Sequence, residues 1–291
     1  MNFRTLKQLA ELAEIRKLSL GQLMLEEQCH ESGEDKETVF SQMLEYYEIM
    51  KTAVHQGLHT DTTSKSGLTG GDARKLMAFR ADGQSLLGDH ASLSMSYALA
   101  VSEVNASMGR IIATPTAGSC GIIPGVFISS QERFGWTDEQ MVYGLFASGA
   151  IGYVIANNSF ISGAEGGCQA EVGSAIGMAA GALVDIRGGS PSQAIHAVGL
   201  ALKNTLGLIC DPVAGLVEIP CIVRNGFGAI TALGAADMAL AGVRSVIPSD
   251  EVVQVMLEVG SAMPESLRET AAGGLAQTPT GRKITRDLQH K

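Results

Sequence analysis

The sequence predicts a mainly α-helical protein built as one large domain. Over most of the chain, apolar residues recur every three or four positions, which is the period of an amphipathic helix. Hydrophobic residues make up 45% of the 291 residues and charged residues only 18%, so the chain can bury a large core. Few segments alternate strictly between apolar and polar residues, and strands do not alternate with helices, which argues against a doubly wound α/β sheet.

The helical pattern recurs from the start of the chain to near its end. Ser19 can cap the second helix, and Gly57 can end the third. The predicted helices cover residues 6–16, 19–29, 35–57, 90–108, 137–155, 171–184, 192–206, 226–243, 250–263 and 265–271.

Two short segments come closest to a strand pattern, residues 109–113 and 216–223. They are too few and too short to change the predicted class. The sequence has no repeat of fixed period and no segment with the composition of a linker. We therefore expect one helical domain over residues 1–291, in which residues 1–60 could form a small N-terminal lobe.

The charge and the cysteine content narrow the functional classes. A formal net charge of −9 and a pI of about 5.2 argue against nucleic acid or an anionic membrane as the main partner, since both require clustered cations. The apolar segments 141–156 and 172–184 are shorter than the roughly 18–20 residues of a membrane-spanning helix. The amphipathic N-terminus lacks the apolar stretch of an export signal. We expect a cytoplasmic protein with reduced thiols.

Three cysteines lie at turns set by glycine or proline. Cys168 follows two glycines and precedes an apolar helix, whose exposed N–H groups would stabilise its thiolate. Cys210 is followed by an Asp-Pro pair, which is expected to end the preceding helix, and Cys221 follows Pro220. Glycines let a backbone approach a bulky inorganic group, and N–H groups can hydrogen-bond to cluster sulfurs. These turns therefore indicate ligand positions.

The alternative is that these thiols only fill the core. A free cysteine usually behaves as a small buried hydrophobe, and spacing alone favours that interpretation. The chain has no Cys-x-x-Cys pair, which gives little support to a zinc ribbon or to thioredoxin-like chemistry. Cys120, between a serine and a glycine, also resembles a residue of a site loop, whereas Cys29 is expected to be structural.

Four segments resemble motifs of a known family. They read SKSGLTGGD (64–72), TPTAGSCG (114–121), GAEGGCQAE (163–171) and CDPVAGLVEIPC (210–221), in that order along the chain. Together they resemble the bacterial iron–sulfur-dependent L-serine dehydratases, and among these the α chain of the two-chain type. The resemblance extends over nearly the whole sequence. It implies a lyase with a single all-helical catalytic domain, which agrees with the periodicity above.

The resemblance also implies a cofactor and a partner. The three cluster cysteines of the family match Cys168, Cys210 and Cys221, separated by 42 and 11 residues, so a 4Fe–4S cluster is expected on them and not on Cys120. The chain lacks the second domain of single-chain relatives, which carries a Ser-Ser-Ser-His-Thr motif. A separate β chain is therefore expected, with αβ pairs in a higher oligomer. The sequence has no cysteine after Cys221, which leaves the fourth iron to water or to another ligand.

Such a cluster suits the dehydration and deamination of L-serine to pyruvate and ammonia. Three thiolates leave one iron open, and that iron can act as a Lewis acid on the substrate hydroxyl and carboxylate. A base must then remove the α-proton. His59, Lys65 and Glu165 are the candidates within this chain, near glycine-rich loops. Lys65 is the catalytic candidate, although it is better suited to binding the carboxylate, and the resemblance favours a histidine of the β chain as the base.

Short hydroxyl side chains in two of the matching loops are expected to bind the serine zwitterion. They are Ser64, Ser66, Thr69, Thr116 and Ser119. Each of them could instead stabilise its own loop by a hydrogen bond.

Other activities compete with this interpretation. A related iron–sulfur lyase could act on threonine or cysteine, and a regulatory or scaffolding subunit would bind nothing through its cysteines. A pyridoxal-phosphate enzyme with Lys65 as the Schiff base is disfavoured, because the sequence lacks both a glycine run for the phosphate and the pattern of an α/β fold.

Overall fold

The computed structural model describes residues 1–290, and the regular structure in that range is helical. The α-helices are α1 (Leu6–Arg16), α2 (Leu20–Ser32), α3 (Lys36–His59), α4 (Asp72–Ala81), α5 (Gly88–Ala106), α6 (Ile122–Phe134), α7 (Asp138–Asn158), α8 (Gly163–Gly166), α9 (Ser174–Ile186), α10 (Pro191–Lys203), α11 (Cys221–Leu240), α12 (Ser249–Ala262) and α13 (Pro279–Gln289). Within residues 1–290 no strand forms, and the β-type pairing is limited to an isolated bridge between Cys210 and Arg268. The predicted mainly α-helical class is confirmed.

Small residues bring the central helices close together. α9 packs on α11, and α5 packs on α6 and α11. A Cβ atom placed on Gly125 of α6 would lie 2.7 Å from the backbone nitrogen of Ala98 in α5, closer than real Cβ atoms approach. A Cβ atom on Gly228 of α11 would lie 2.7 Å from the Cδ1 atom of Ile122 in α6. The high glycine and alanine content therefore permits the dense packing of a native interior.

The two apolar segments 141–156 and 172–184 form part of this buried core. The first lies within α7, and the second runs from the π-helical turn Gln169–Gly173 into α9. α9 is buried from Ser174 to Asp185, so it has no solvent-facing polar side. Among residues 1–290, every helix is too short or too polar to cross a bilayer.

The first three helices join the rest of the molecule by packing and by buried polar contacts. α2 packs on α7, and α3 packs on α5. The Asp185 carboxylate of α9 accepts hydrogen bonds from the N–H groups of Leu20 and Gly21, at 2.8 and 3.1 Å. Asp250 binds the first turn of α1 in the same way. Carboxylates there satisfy N–H groups that have no partner within the helix. The prediction that residues 1–60 form a separate small lobe stays a prediction.

Four helices in the structure were not expected from the periodicity: α4, α6, the single turn α8, and α13. Residues 122–130 of α6 are all buried, so no polar face marks a helical period in that part of its sequence. α4 is short and polar, with Ala73 as its buried residue. α13 begins with a Thr278 cap and Pro279, which is a usual start for a helix, but it lies on the surface near the end of the chain.

Three other segment predictions are wrong. Residues 265–271 contain only a single 3₁₀ turn, because Glu269 takes a left-handed backbone conformation with a φ of 64°. Residues 109–113 form no regular structure. The predicted strand 216–223 is interrupted by Pro220, and α11 begins at the next residue instead of at residue 226.

Candidate metal centre

Three buried cysteines lie near the starts of α9 and α11 and in the loop after α10, and two of their sulfurs are close together. Cys168 directly precedes the π-helical turn Gln169–Gly173, Cys210 lies in the loop after α10, and Cys221 is the first residue of α11. Their exposures are 1%, 2% and 5%. The sulfur atoms of Cys168 and Cys210 and a carboxylate oxygen of Glu171 all lie within 4.8 Å of one another. The Cys221 sulfur is outside that group of three, but burial and the nearby Cys168 thiolate both raise the pKa of its thiol.

Glycine permits the close approach of α8 to the Cys210 sulfur. A Cβ atom on Gly163, the first residue of α8, would lie 2.8 Å from Sγ of Cys210. Just after α8, Gly167 has a φ of +75°, in the left-handed region that glycine adopts at low cost, and the chain turns there into Cys168. The glycine-rich segment before Cys168 therefore makes the turn and leaves room beside the Cys210 sulfur.

The residue after Cys168 fixes its backbone. The N–H group of Gln169 donates to the carbonyl of Leu208 at 3.0 Å. Its side-chain amide accepts from the N–H group of Gly207 at 2.9 Å and donates to the carbonyl of Met256 at 2.9 Å. Gln169 is fully buried, so these bonds are shielded from water. They hold Cys168 against the loop that leads to Cys210.

Cys210 lies in an extended segment and not at the end of a helix, as the sequence had suggested. α10 stops at Lys203, well before Pro212. The N–H group of Cys210 donates to the carbonyl of Leu267 at 2.8 Å, and its own carbonyl accepts from the N–H group of Glu269 at 2.8 Å. Two backbone bonds therefore fix this cysteine to the segment near residue 268.

Arg224 connects the segments that carry the cysteines. It lies in the first turn of α11, three residues after Cys221. Its Nη1 group donates to Sγ of Cys168 at 3.1 Å and to the carbonyl of Ile209 at 2.9 Å. Its Nη2 group lies 2.9 Å from Oδ1 of Asp211, with which it forms an ion pair. Sequence reasoning missed Arg224. The residue lies one helical turn after Cys221, but the predicted helix began only at residue 226, so this spacing could not be recognised.

The two close sulfurs differ in their electrostatics. A hydrogen bond from the Cys210 thiol and the positive charge of Arg224 lower the pKa of the Cys168 thiol, against the opposing effect of burial. Donating that hydrogen bond, together with burial, raises the pKa of Cys210. Of the two thiols, Cys168 is therefore the more acidic, and Cys210 is placed to donate a hydrogen bond to it. Thiolates are the form of cysteine that binds metals.

Glu171 brings a carboxylate to the sulfur pair. Its side chain accepts a hydrogen bond from the hydroxyl of Thr116 and another from the backbone N–H of Gly118. Burial raises the pKa of this carboxyl, and the nearby Glu269 acts in the same direction. Sequence reasoning did not select Glu171, although it is the last residue of the segment 163–171. Thr116, which was predicted as a substrate-binding residue, contacts the sulfur group only indirectly, through its hydrogen bond to Glu171.

Three of the selected hydroxyl residues lie over the segment that leads into Cys221. The hydroxyls of Ser66 and Thr69 both donate to Oε2 of Glu218 at 2.8 Å. Oγ of Ser64 lies 3.0 Å from Oγ of Ser66. Glu218 is buried and precedes Cys221 by three residues. A carboxylate thus ties the loop to the segment that ends at Cys221, and the contact of the loop with substrate stays a prediction.

A cavity of 650 Å³ opens beside this loop, and Lys65, Glu218 and Ala117 are among its lining residues. The side chain of Lys65 is exposed. Ser119, in the second loop, donates to the carbonyl of Thr114 at 3.0 Å, a bond that stabilises its own loop. The cavity therefore brings together residues of the first, second and fourth matching segments.

The remaining candidates lie apart from the sulfur group. His59 ends α3 and packs on His55, with 4.4 Å between ring centroids. Glu165 is exposed on α8, where its carboxylate accepts from the Ser162 hydroxyl. Cys120 is fully buried in the core, and burial raises its pKa to about 12.

The donor set fits an iron–sulfur cluster held by three cysteines. Thiolates are soft ligands that select iron–sulfur clusters, copper(I) or zinc, and a structural zinc site is closed by four cysteine or histidine ligands. Here two buried cysteine sulfurs lie close together, a third buried cysteine begins the neighbouring helix α11, a guanidinium donates to the Cys168 sulfur, and Gly163 leaves room beside the Cys210 sulfur. Hydrogen bonds to sulfur are a usual feature of cluster sites.

Known proteins match the chain over most of its length. Residues 15–276 match the family described as "Serine dehydratase alpha chain". The "Probable L-serine dehydratase, alpha chain" of Bacillus subtilis (strain 168) is 50% identical over 286 residues, which are 98% of this chain and 95% of that protein. The "L-serine dehydratase, alpha chain" of Peptoniphilus asaccharolyticus is 42% identical over 284 residues, 98% of this chain and 97% of that protein. The chain therefore belongs to the serine dehydratase alpha chain family.

Proposed function

We propose that this chain is the α chain of a two-chain L-serine dehydratase, a lyase that forms pyruvate and ammonia and holds a 4Fe–4S cluster on Cys168, Cys210 and Cys221. The observation that carries the proposal is the meeting of the Cys168 and Cys210 sulfurs with Glu171 in a buried site of a chain of this family. The names of the relatives favour L-serine over threonine or cysteine as the substrate, and a β chain as the partner. In the proposal, αβ pairs form a higher oligomer in the cytoplasm.

The chain's own residues have distinct tasks in this reaction. When bound, the cluster would supply Lewis acidity to the substrate hydroxyl and carboxylate. The carboxylates of Glu171 and Glu269 lie near the same sulfurs, and a charge-assisted hydrogen bond from the α-ammonium group suits them. The α-proton passes to a base that we assign to a histidine of the β chain. Loss of the hydroxyl group then leaves 2-aminoacrylate, which tautomerises and hydrolyses to pyruvate and ammonia without the enzyme.

The first two matching loops supply the remaining contacts in the proposal. Ser64, Ser66 and Thr69 would turn hydroxyls toward the substrate from their position over Glu218. A lysine acts as a base only when burial removes it from water, and Lys65 is exposed, which favours attraction of the substrate carboxylate over proton abstraction. In the second loop, Thr116 would act through Glu171 and Ser119 through the shape of the loop.

The test is anaerobic reconstitution of the chain with iron and sulfide, together with its β chain. Pyruvate release is then measured with L-serine, L-threonine and L-cysteine in parallel. We expect Cys168→Ser, Cys210→Ser and Cys221→Ser each to lower bound iron and to abolish activity. The matched control is Cys29→Ser, which changes a half-buried cysteine on α2 and should leave both the bound iron and the activity unchanged.

Three outcomes would contradict the proposal. Iron and sulfide near zero in the wild-type chain, with no activity on adding the β chain, would favour a non-catalytic subunit. A visible absorbance band that borohydride removes would favour a pyridoxal-phosphate enzyme. Faster turnover of L-threonine or L-cysteine than of L-serine would support the proposed lyase activity but contradict the assignment of L-serine as its substrate.

A further inference from the structure

We propose that Arg224 is a positioning residue that assembles the three-cysteine site from separate segments and orients the Cys168 sulfur within it. The inference rests on the proposed function, because its consequence is the uptake and retention of a cluster. It concerns a side chain that none of the matching segments contains.

The contacts of Arg224 reach every segment that carries a proposed ligand. Its own helix begins with Cys221, one turn earlier. Its guanidinium binds the two neighbours of Cys210, the Ile209 carbonyl at 2.9 Å and the Asp211 carboxylate at 2.9 Å, and it donates to the Cys168 sulfur at 3.1 Å. A planar guanidinium offers five donors in a fixed geometry, so one side chain can hold several acceptors at set angles.

Asp211 holds the guanidinium in place. Its side chain is 1% exposed, and Oδ1 pairs with Arg224 while Oδ2 accepts from the N–H group of Leu275 at 2.7 Å. The neighbouring Gly274 has a φ of +57°, and a Cβ atom there would lie 2.5 Å from Oδ2 of Asp211. Only glycine allows the backbone to come this close in that conformation. The position of Arg224 is therefore fixed by α11, by the segment that carries Asp211, and by the turn at Gly274 and Leu275 that holds Asp211.

The same contacts argue against a direct role for Arg224 in binding substrate. Both terminal nitrogens already donate to protein acceptors, and the side chain is 16% exposed. Both N–H groups of Nη1 already donate, so a substrate carboxylate that bound both terminal nitrogens would have to displace the Cys168 sulfur or the Ile209 carbonyl. The hydrogen bonds assign Arg224 to the ligand cysteines and not to the substrate.

Two consequences follow for a bound cluster. Residues that orient metal ligands typically affect metal affinity about 10- to 100-fold, so loss of Arg224 should weaken retention by that order. A cationic donor to a ligand sulfur also stabilises the more negative, reduced state, which raises the reduction potential. If Arg224 only formed a structural ion pair, its loss would weaken cluster retention only by unfolding the chain, and it would not change the reduction potential.

The experiment compares Arg224→Gln, Arg224→Lys and Asp211→Asn with the wild-type chain after anaerobic reconstitution. Arg244→Gln, which changes an exposed arginine after the other end of α11, is the matched control. Iron per chain, the rate of cluster loss to a chelator and the reduction potential are measured, with thermal unfolding of the cluster-free chain by circular dichroism. We expect Arg224→Gln to lose the cluster 10- to 100-fold faster and to show a lower potential. The lysine variant keeps the charge but cannot reach all the acceptors, so it should fall between.

The outcomes separate this inference from the proposed function. A wild-type chain that takes up no cluster overturns the proposed function. A cluster that forms in wild type and shows the same retention and potential in Arg224→Gln overturns the role of Arg224 alone. If the glutamine variant unfolds, the lysine and Asp211→Asn variants decide the question by the same measurements. A rise in KM for L-serine in Arg224→Lys, with unchanged retention and potential, would make Arg224 a substrate ligand and refute the inference.

Discussion

A single added methyl group at Gly163 tests the close approach of α8 to the sulfur of Cys210. In Gly163→Ala the new Cβ atom would lie 2.8 Å from that sulfur and 3.2 Å from Oε2 of Glu269. Since comfortable contacts between such atoms are about 3.5–4.0 Å, the sulfur must move by about 1 Å. Overpacking of this kind costs about 1–3 kcal/mol, or a factor of about 5 to 150 in an equilibrium constant. Metal sites tolerate changes of only about 0.2 Å in ligand distance. We therefore expect cluster retention to fall by that factor.

The assay measures iron per chain after anaerobic reconstitution, together with urea unfolding of the cluster-free chain. Gly234→Ala is the matched control, because it adds the same methyl group within α11 where no atom lies within 4 Å. An alanine there should stabilise the helix by about 1 kcal/mol and leave the cluster unchanged. If Gly163→Ala keeps full iron content and full stability, the Cys210 sulfur does not lie against α8, and the geometry of the site is refuted.

Three further perturbations test other contacts. Glu171→Gln should raise KM for L-serine by about 10- to 100-fold with unchanged iron content, because a charge-assisted hydrogen bond is lost; an unchanged KM would remove Glu171 from substrate binding. Asp185→Ala leaves two N–H groups of α2 without acceptors, so urea unfolding should show a loss of about 2–4 kcal/mol, whereas the exposed Asp287→Ala should show none. Because burial raises the pKa of Asp185 above its ordinary 3.8, this loss should be largest at acid pH and decline as the pH rises through the raised pKa. Glu218→Gln should loosen the loop of residues 64–72 and speed its cleavage by a protease several-fold; equal cleavage would contradict the anchor.

The sequence was informative wherever a local rule acts alone. Ser19 caps α2 as predicted, since a cap acts on its own helix, whereas Gly57 does not end α3, which continues to His59 and is capped by Thr60. The glycines before Cys168 and the proline before Cys221 predicted turns, and turns are present at both positions. These signals need no knowledge of the rest of the fold, and they sufficed to select cysteines that the structure buries near one another.

Features that depend on long-range contacts could not be predicted in this way. α6 shows no polar face over residues 122–130, because all nine of them are buried. Arg224 and Glu171 have ordinary local sequence surroundings, and their importance comes from the Cys168 sulfur and the Thr116 hydroxyl, which lie 56 and 55 residues away along the chain. Cys210 was expected at a helix end because Pro212 follows it. In the structure it instead forms an isolated β-bridge with Arg268, a residue far away along the chain. Single-sequence reasoning therefore finds the ligands more easily than the side chains that arrange them.

The helical class itself has an electrostatic consequence for the metal centre. Cys221 begins α11, and Cys168 directly precedes the helical run that continues into α9, so two of the three proposed ligands lie at the start of a helix. Each helix start carries about half a positive charge, which would favour the thiolate form of a cysteine placed there. Strands would offer no comparable charge, because their dipoles largely cancel. At Gly228 a Cβ atom would lie 2.7 Å from Ile122 of α6 and 3.3 Å from Ile176 of α9, so the absence of a side chain permits α11 to pack closely on both helices. The small residues of the core thereby help to position the helix that begins at Cys221.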